Sequence, residues 1–409
     1  METTTHQVID PRGDILLCFP GRAQQQDAPP IATIPTQPDG ERRSPELSSP
    51  QTVCSALTHH GSSALTPPSS SSANTPNPSA TDTVSLRVSS SVLCLASPVF
   101  SAMLSGPMAE GRAFRAADSP RPFPLTLPED DGHVFAILAN VIHFRPEAVP
   151  FLPSTSTLLA LASLVDKYGC APALLCYGEI WLNRAIEARQ APDYGAFERR
   201  CDLLLFAYAL DLPAPFALLS WDVILNHRQQ LKGETEFGLD LPIPEDHDLL
   251  RHDLHGEIAK RKARLRREVH NALMEPVTRV TALLVSYGGE SDGKPTCPNA
   301  ALAMGNYMAF LDSNNLCPWR AQYETDSFSS IIKRALEAAV LANDKAMLKF
   351  EACSRARCNC GTMAYGDSVH MAQNLAWSLG GALKWKLGAC LDCLKNVGDH
   401  RGTCRVEHW

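Results

Sequence analysis

Apolar residues fall in adjacent pairs along VSSSVLCLASPVFSAMLSG (88–106): Val92/Leu93, Leu95/Ala96, Val99/Phe100 and Met103/Leu104. Three or four residues between pairs is a helical spacing, yet Pro98 interrupts the run. Ser97 is a good N-cap, and proline suits a first helical position, where its missing N–H would be unpaired in any case. The pattern predicts two short helices, 90–96 and 98–104, turned against each other with both sets of pairs facing one core.

Strand patterns surround this hairpin. In VIDPRGDILLCFP, Pro11 to Gly13 make a turn and 15–19 form a short apolar strand. TVSLRV (83–88) alternates like a half-buried strand, and FPLTL (123–127) gives another after a loop containing glycine and charged residues. LPEDDGHVFAILANVIHF reads as a helix capped by Asp130 or Asp131, with Val134, Phe135, Leu138, Val141 and Ile142 on one face. Ser154 or Ser156 caps the next helix, through Leu158, Leu161, Ala162 and Val165, and Gly169 stops it. A further helix over 171–186 places Leu174, Leu175, Tyr177, Ile180 and Trp181 inward or near inward.

The chain beyond 192 is mostly helical in pattern. CDLLLFAYALDLPAPFALLSWDVILNH holds two apolar helices separated by Pro213 and Pro215, and a later stripe joins Leu254, Ile258, Leu265, Val269 and Leu273. Residues 21–82 differ from everything around them. They are rich in Pro, Ser, Thr and Gln, bury too little apolar area to offset ordering entropy, and are expected to be a disordered insertion.

With 409 residues, two folded units are expected. A hydrophobic share of 44% with 20% charged residues fits a soluble globular protein, and the net charge of −7 argues against electrostatically driven nucleic-acid binding. METTTHQVIDPRGD lacks a basic leader and apolar core, so no signal peptide is expected. No apolar run is long enough to span a membrane. Fourteen cysteines without such a signal read as reduced thiols of the cytosol or nucleus, some able to hold a metal.

The order strand, strand, two short helices, strand, helix, helix pair resembles the BTB/POZ domain of filamentous fungi. IDPRGDILL is similar to its first strand and VSSSVLCLASPVFSAML to its first helical hairpin. LPEDDGHVFAILANVIHFR is similar to its third helix, and LASLVDKYGCAPALLCYGEIWL to its last pair. The resemblance covers 8–20 and 83–187. It departs from the family where about sixty residues replace a short turn between the first two strands. Closing so long a loop costs about 0.6 kcal/mol per doubling, or about 2.4 kcal/mol from four to sixty-four residues, which a domain of ordinary stability tolerates.

The expected architecture is α+β: a BTB/POZ-like domain over 8–20 and 83–190, then a mainly α-helical C-terminal domain over 191–409 with a Cys-rich end. The resemblance implies a non-catalytic protein-interaction fold, often a homodimer, with some members recruiting cullin-type ubiquitin ligase scaffolds through an apolar-x-Glu motif. Met108, Ala109 and Glu110 match that motif; the plainer reading is a solvated loop.

Cysteines are densest at the C-terminus: Cys353, Cys358 and Cys360, then Cys390 and Cys393, then Cys404. Cys-x-x-Cys at 390–393 is a natural half-site for structural zinc, since one turn can aim two thiolates at a tetrahedral centre. A second pair would come from Cys353, Cys358, Cys360 or Cys404. The alternatives are a set of reduced thiols packed in or near a small core, and redox chemistry at Cys390 and Cys393. Cys94, Cys170, Cys176 and Cys201 lie in apolar helical runs and are expected in the core.

KRKARLRR (260–267) follows an acidic stretch, and Glu257 stands four residues before Arg261, a favourable ion-pair spacing. A solvated helix face is the first reading; a nuclear signal, or nucleic-acid binding through a zinc-stabilised C-terminus, is the second. Enzyme signatures are not found: no phosphate-binding glycine loop, no G-x-S-x-G and no H-E-x-x-H. His255-Gly256-Glu257 with Cys390-x-x-Cys393 is like a zinc deaminase signature, but its halves are far apart and Ala389 stands where proline belongs. The expected function is protein–protein association without catalysis.

Overall fold

The computed structural model describes residues 4–20, 83–117, 120–188, 196–228, 241–285, 298–341, 349–350, 369–370, 375–380, 388–395 and 404–406. The insertion expected at 21–82 lies outside them. One mixed sheet runs in the order β1 (Thr4–Val8), β3 (Thr83–Val88), β2 (Ile15–Phe19), β4 (Phe123–Thr126). Strands β2 and β3 are antiparallel, with Ile15 opposite Val88 and Phe19 opposite Val84, so segments separated by the insertion are sheet neighbours. β4 is parallel to β2, and β1 is parallel to β3. Strand alternation buries Ile15, Leu17 and Phe19 on one face. The turn before β2 needs Gly13, because a Cβ there would meet the Val88 carbonyl oxygen at 2.5 Å.

The kinked run forms α1 (Ser90–Ala96) and α2 (Pro98–Ser105). The Phe100 N–H donates to the Ser97 hydroxyl at 3.1 Å, and Pro98 takes the first helical position. The expected burial of both members of every pair is corrected here. Leu93, Phe100 and Leu104 are buried, Val92 and Met103 pack at the edge of the core, and Leu95 is 89% exposed. Adjacent helical residues point about 100° apart, and α1 and α2 meet the core along a narrow stripe, so one member of each pair turns toward its edge or to solvent.

The glycine-containing loop expected next also holds a helix, α3 (Ala109–Ala116). Arg115 anchors it by donating to the carbonyls of Leu104 and Gly106, and Phe114 meets Phe123 edge-on at 5.6 Å. Asp131 caps α4 (Gly132–Ile142) by accepting from the N–H groups of His133 and Val134. Ser154 caps α5 (Thr155–Tyr168), which stops at Gly169 in the left-handed conformation, φ 64°. In α6 (Ala171–Glu187), Leu174 and Trp181 are fully buried; Leu175 and Ile180, expected inward, are exposed. Cys170 and Cys201 are buried, and burial pushes their thiols up to about 11 and about 12. Cys94 is half-buried and Cys176 is exposed, contrary to expectation.

Pro213 begins a helix instead of merely separating two: α7 (Phe197–Ala209) turns into α8 (Pro213–Asn226) at Asp211, whose φ is 58°. α9 (Leu254–Val285) buries the expected stripe of Leu254, Ile258, Leu265, Val269 and Leu273 and continues through Pro276. α10 (Pro298–Ser313), α11 (Ala321–Thr325) and α12 (Phe328–Leu341) follow, then a two-stranded antiparallel pair, β5 (Lys349–Phe350) with β6 (Val369–His370), and α13 (Leu391–Lys395). The buried core is continuous from Ile9 on the sheet side to Leu394 in α13. Among the described residues no helix is long and apolar enough to cross a membrane.

Candidate functional site

The segment that carries Cys390 and Cys393 is seated on α8. A Cβ at Gly388 would meet the Ala217 carbonyl oxygen at 2.1 Å, so only glycine permits that approach. The Ala389 N–H then donates to the fully buried Ser220 hydroxyl at 2.8 Å. This fixes Cys390 at the start of α13. Cys393, three residues on, returns to the same side of the helix.

Cys404 is held against that turn by its neighbour Arg405. The Arg405 backbone N–H donates to Asp392 Oδ2 at 2.6 Å, and its guanidinium donates twice to Asp392 Oδ1. The same guanidinium reaches Asp211 Oδ2 at 2.7 Å, while Lys395 Nζ donates to Asp211 Oδ1 at 2.9 Å. Hydrogen bonds from Arg405 hold the Asp392 carboxyl below the usual carboxylate range. Burial pushes Asp211 up, but the bonds from Arg405 and Lys395 outweigh it. Two carboxylates and two cations thus lock α13, the α7–α8 turn and the 404–406 segment together. Arg405, Asp392 and Asp211 stood out in no motif; Arg405 beside Cys404 and Asp392 between Cys390 and Cys393 had that placement as a signal, and Asp211, in the α7–α8 turn, had none.

The three sulfur atoms of Cys390, Cys393 and Cys404 lie within 4.8 Å of one another, and those of Cys393 and Cys404 are 3.5 Å apart. Two thiolates bound to one tetrahedral zinc at about 2.3 Å stand about 3.8 Å apart, so the cluster has the right scale for such an ion. Cys390 is buried and the other two are half-buried. Burial, together with the neighbouring thiols, pushes Cys393 up to about 12. A bound cation would reverse that preference by stabilising thiolate. The cluster could therefore hold a metal. Among the described residues, Cys404 is the candidate partner brought to the Cys390/Cys393 pair. Cys353, Cys358 and Cys360 lie outside the described residues.

Met108 is the N-cap of α3 and is 50% exposed, with Ala109 and Glu110 exposed in the first turn. The matching residues therefore open a helix, which corrects the loop reading. Leu95, Val99 and Met108, on α1, α2 and at the start of α3, are all large exposed apolar side chains.

The basic run is not a uniformly solvated face. Glu257 and Arg261 form the expected ion pair at 2.7 Å. Leu265 is fully buried, and Lys262 is only 8% exposed, with its Nζ 2.5 Å from His227 Nδ1.

No protein-family model, no curated protein and no solved structure matches the chain.

Proposed function

We propose that this chain is a BTB/POZ-type protein-interaction module of the cytosol or nucleus, self-associating and recruiting partners without catalysis of its own. The observation that carries the reading is the exposure of Leu95 and Val99 on the hairpin whose sequence carries the family resemblance, and of Met108 in the matching motif that follows it. Contiguous exposed apolar surface marks interaction sites, and these three side chains stand on consecutive elements of the chain. Met108, Ala109 and Glu110 open an exposed helix, a suitable position for contact with a cullin-type scaffold. Two differently tagged copies expressed together should co-purify. If the scaffold contact exists, Glu110→Lys removes the scaffold from the co-purified proteins and leaves the self-association. Tagged copies that never co-purify would overturn self-association, and scaffold recovery indifferent to Glu110→Lys would overturn the adaptor role.

The thiol triad supports a second, structural element of this reading: zinc bound by Cys390, Cys393 and Cys404, with its fourth position taken by water or another side chain. Such an ion would tie the end of the chain to α8. For the alternative of nucleic-acid binding through the basic run, Lys262 is buried against His227 and unavailable to a phosphate, which leaves Lys260, Arg264 and Arg267 as its exposed cations.

A further inference from the structure

We infer that Cys393 and Cys404 are a redox pair that hydrogen peroxide converts to a disulfide, leaving Cys390 as the odd thiol. The inference uses the same sulfur cluster as the proposed zinc site and goes beyond it, since the pairing follows from the sulfur positions whether or not a metal is bound.

Three observations select this pair. The two sulfurs are in contact at 3.5 Å, within a triad whose three sulfurs all lie within 4.8 Å of one another. Both residues are half-buried and open to a small oxidant, whereas Cys390 is 1% exposed. Finally, the Arg405 clamp on Asp392 holds Cys404 beside α13 through contacts that involve no sulfur, so the pair stays together when the thiols carry no ion. Closing the bond shortens the sulfur–sulfur gap from 3.5 Å to about 2.05 Å.

The chemistry balances with peroxide as the oxidant. One thiolate attacks a peroxide oxygen, the O–O bond breaks, and hydroxide leaves to take up the thiol's proton as water. The second thiolate attacks the resulting sulfenic sulfur, the S–S bond forms, and hydroxide leaves from sulfur and is protonated in turn. Two thiols have lost two electrons and two protons, and one peroxide has become two waters. The product joins the 404–406 segment to α13 by a covalent bond, in addition to the Arg405 contacts with Asp392.

The test uses the full chain, reduced, with and without prior removal of metal by a chelator. Each sample receives stoichiometric peroxide and is then alkylated in denaturant, and its unreduced peptides are mapped by mass spectrometry. The expected result is a peptide linking Cys393 to Cys404, lighter by two hydrogens, with Cys390 alkylated; Cys390→Ser should still give the link. A link between Cys390 and Cys393 would overturn the inference. So would recovery of Cys393 and Cys404 as alkylated thiols or as sulfinic acids. Released zinc is measured in the same samples: the link without zinc contradicts only the metal reading, and zinc without the link contradicts only this one.

Discussion

The Ser97 hydroxyl donates to the Tyr168 carbonyl across 2.6 Å, joining the kink between α1 and α2 to the end of α5. The same oxygen accepts the Phe100 N–H and so caps α2. Nearby, Gly169 leaves α5 in its left-handed conformation, where an added Cβ would lie 3.1 Å from Pro98 Cγ. Phe100 stacks on Tyr168 with ring centroids 4.6 Å apart. The break in the apolar run therefore has a structural purpose: it places a cap, a stack and a buried hydrogen bond at one junction.

Ser97→Ala removes both the cap and the buried hydrogen bond. Loss of a cap costs about 1 kcal/mol and loss of a buried hydrogen bond a similar amount, so destabilisation of about 2 kcal/mol is expected. Urea denaturation measures it as a lower midpoint with an unchanged slope. A loss below about 0.5 kcal/mol would show that the junction does not hold the hairpin in place.

Burial, and secondarily the charge of Arg266, brings Lys262 down from 10.5 to about 8. Below pH 8 this lysine is charged in both the folded and the unfolded chain, and its effect on stability is constant. Between pH 8 and 10.5 the unfolded chain keeps the proton that the folded one has lost, so stability rises with pH. At 1.36 kcal/mol per unit, the rise is on the order of 3 kcal/mol. Lys262→Met cannot show it. The stability of wild type minus that of the variant, measured from pH 7 to 10.5, should climb by that order; a flat difference would mean the lysine is not desolvated in solution.

Much of this fold was legible in the chain because its punctuation is local. Ser97-Pro98, Asp131, Ser154 and Gly169 each act on their own backbone neighbours, and each marks the boundary that the sequence pattern indicated. Features decided at a distance were not legible. Strand β1 is short and largely polar, TTHQV, and forms by pairing with β3, from which the sequence separates it by more than seventy residues. Helix α3, AEGRAFRA, is polar and contains glycine, and it is tied down by Arg115 reaching carbonyls of the preceding segment. Periodicity also cannot say whether an apolar face finds a partner inside its own chain, which is why Leu95, Leu175 and Ile180 were assigned inward. At the thiol cluster the half-site was visible as Cys-x-x-Cys. The choice of Cys404 depended on the contact of Arg405 with Asp392, which no spacing rule contains.

If zinc occupies the triad, protein purified without a metal-binding tag carries about one ion per chain, and Cys393→Ser loses it. Binding must displace protons from thiols that the metal-free protein holds in the neutral form, Cys393 up to about 12. Apparent zinc affinity should therefore rise steeply from pH 6 to 8, by up to tenfold per pH unit for each proton released. Competition with a chromogenic chelator across that range measures it. A metal-free protein, or an affinity independent of pH, would return the three cysteines to ordinary packed thiols.

Association through α1 to α3 is the central function proposed for this chain. Leu95 is 89% exposed near the C-terminal end of α1, where a cation is favourable to the helix. Leu95→Lys should thus leave folding stability within about 0.5 kcal/mol of wild type. Sedimentation velocity of the full chain at micromolar concentration, wild type beside Leu95→Lys, separates association from folding. Wild type is expected to sediment as a dimer and the variant as a monomer, with the same melting temperature. A wild type that sediments as a monomer at every concentration, or a variant that dimerises as well as wild type does, would contradict this association.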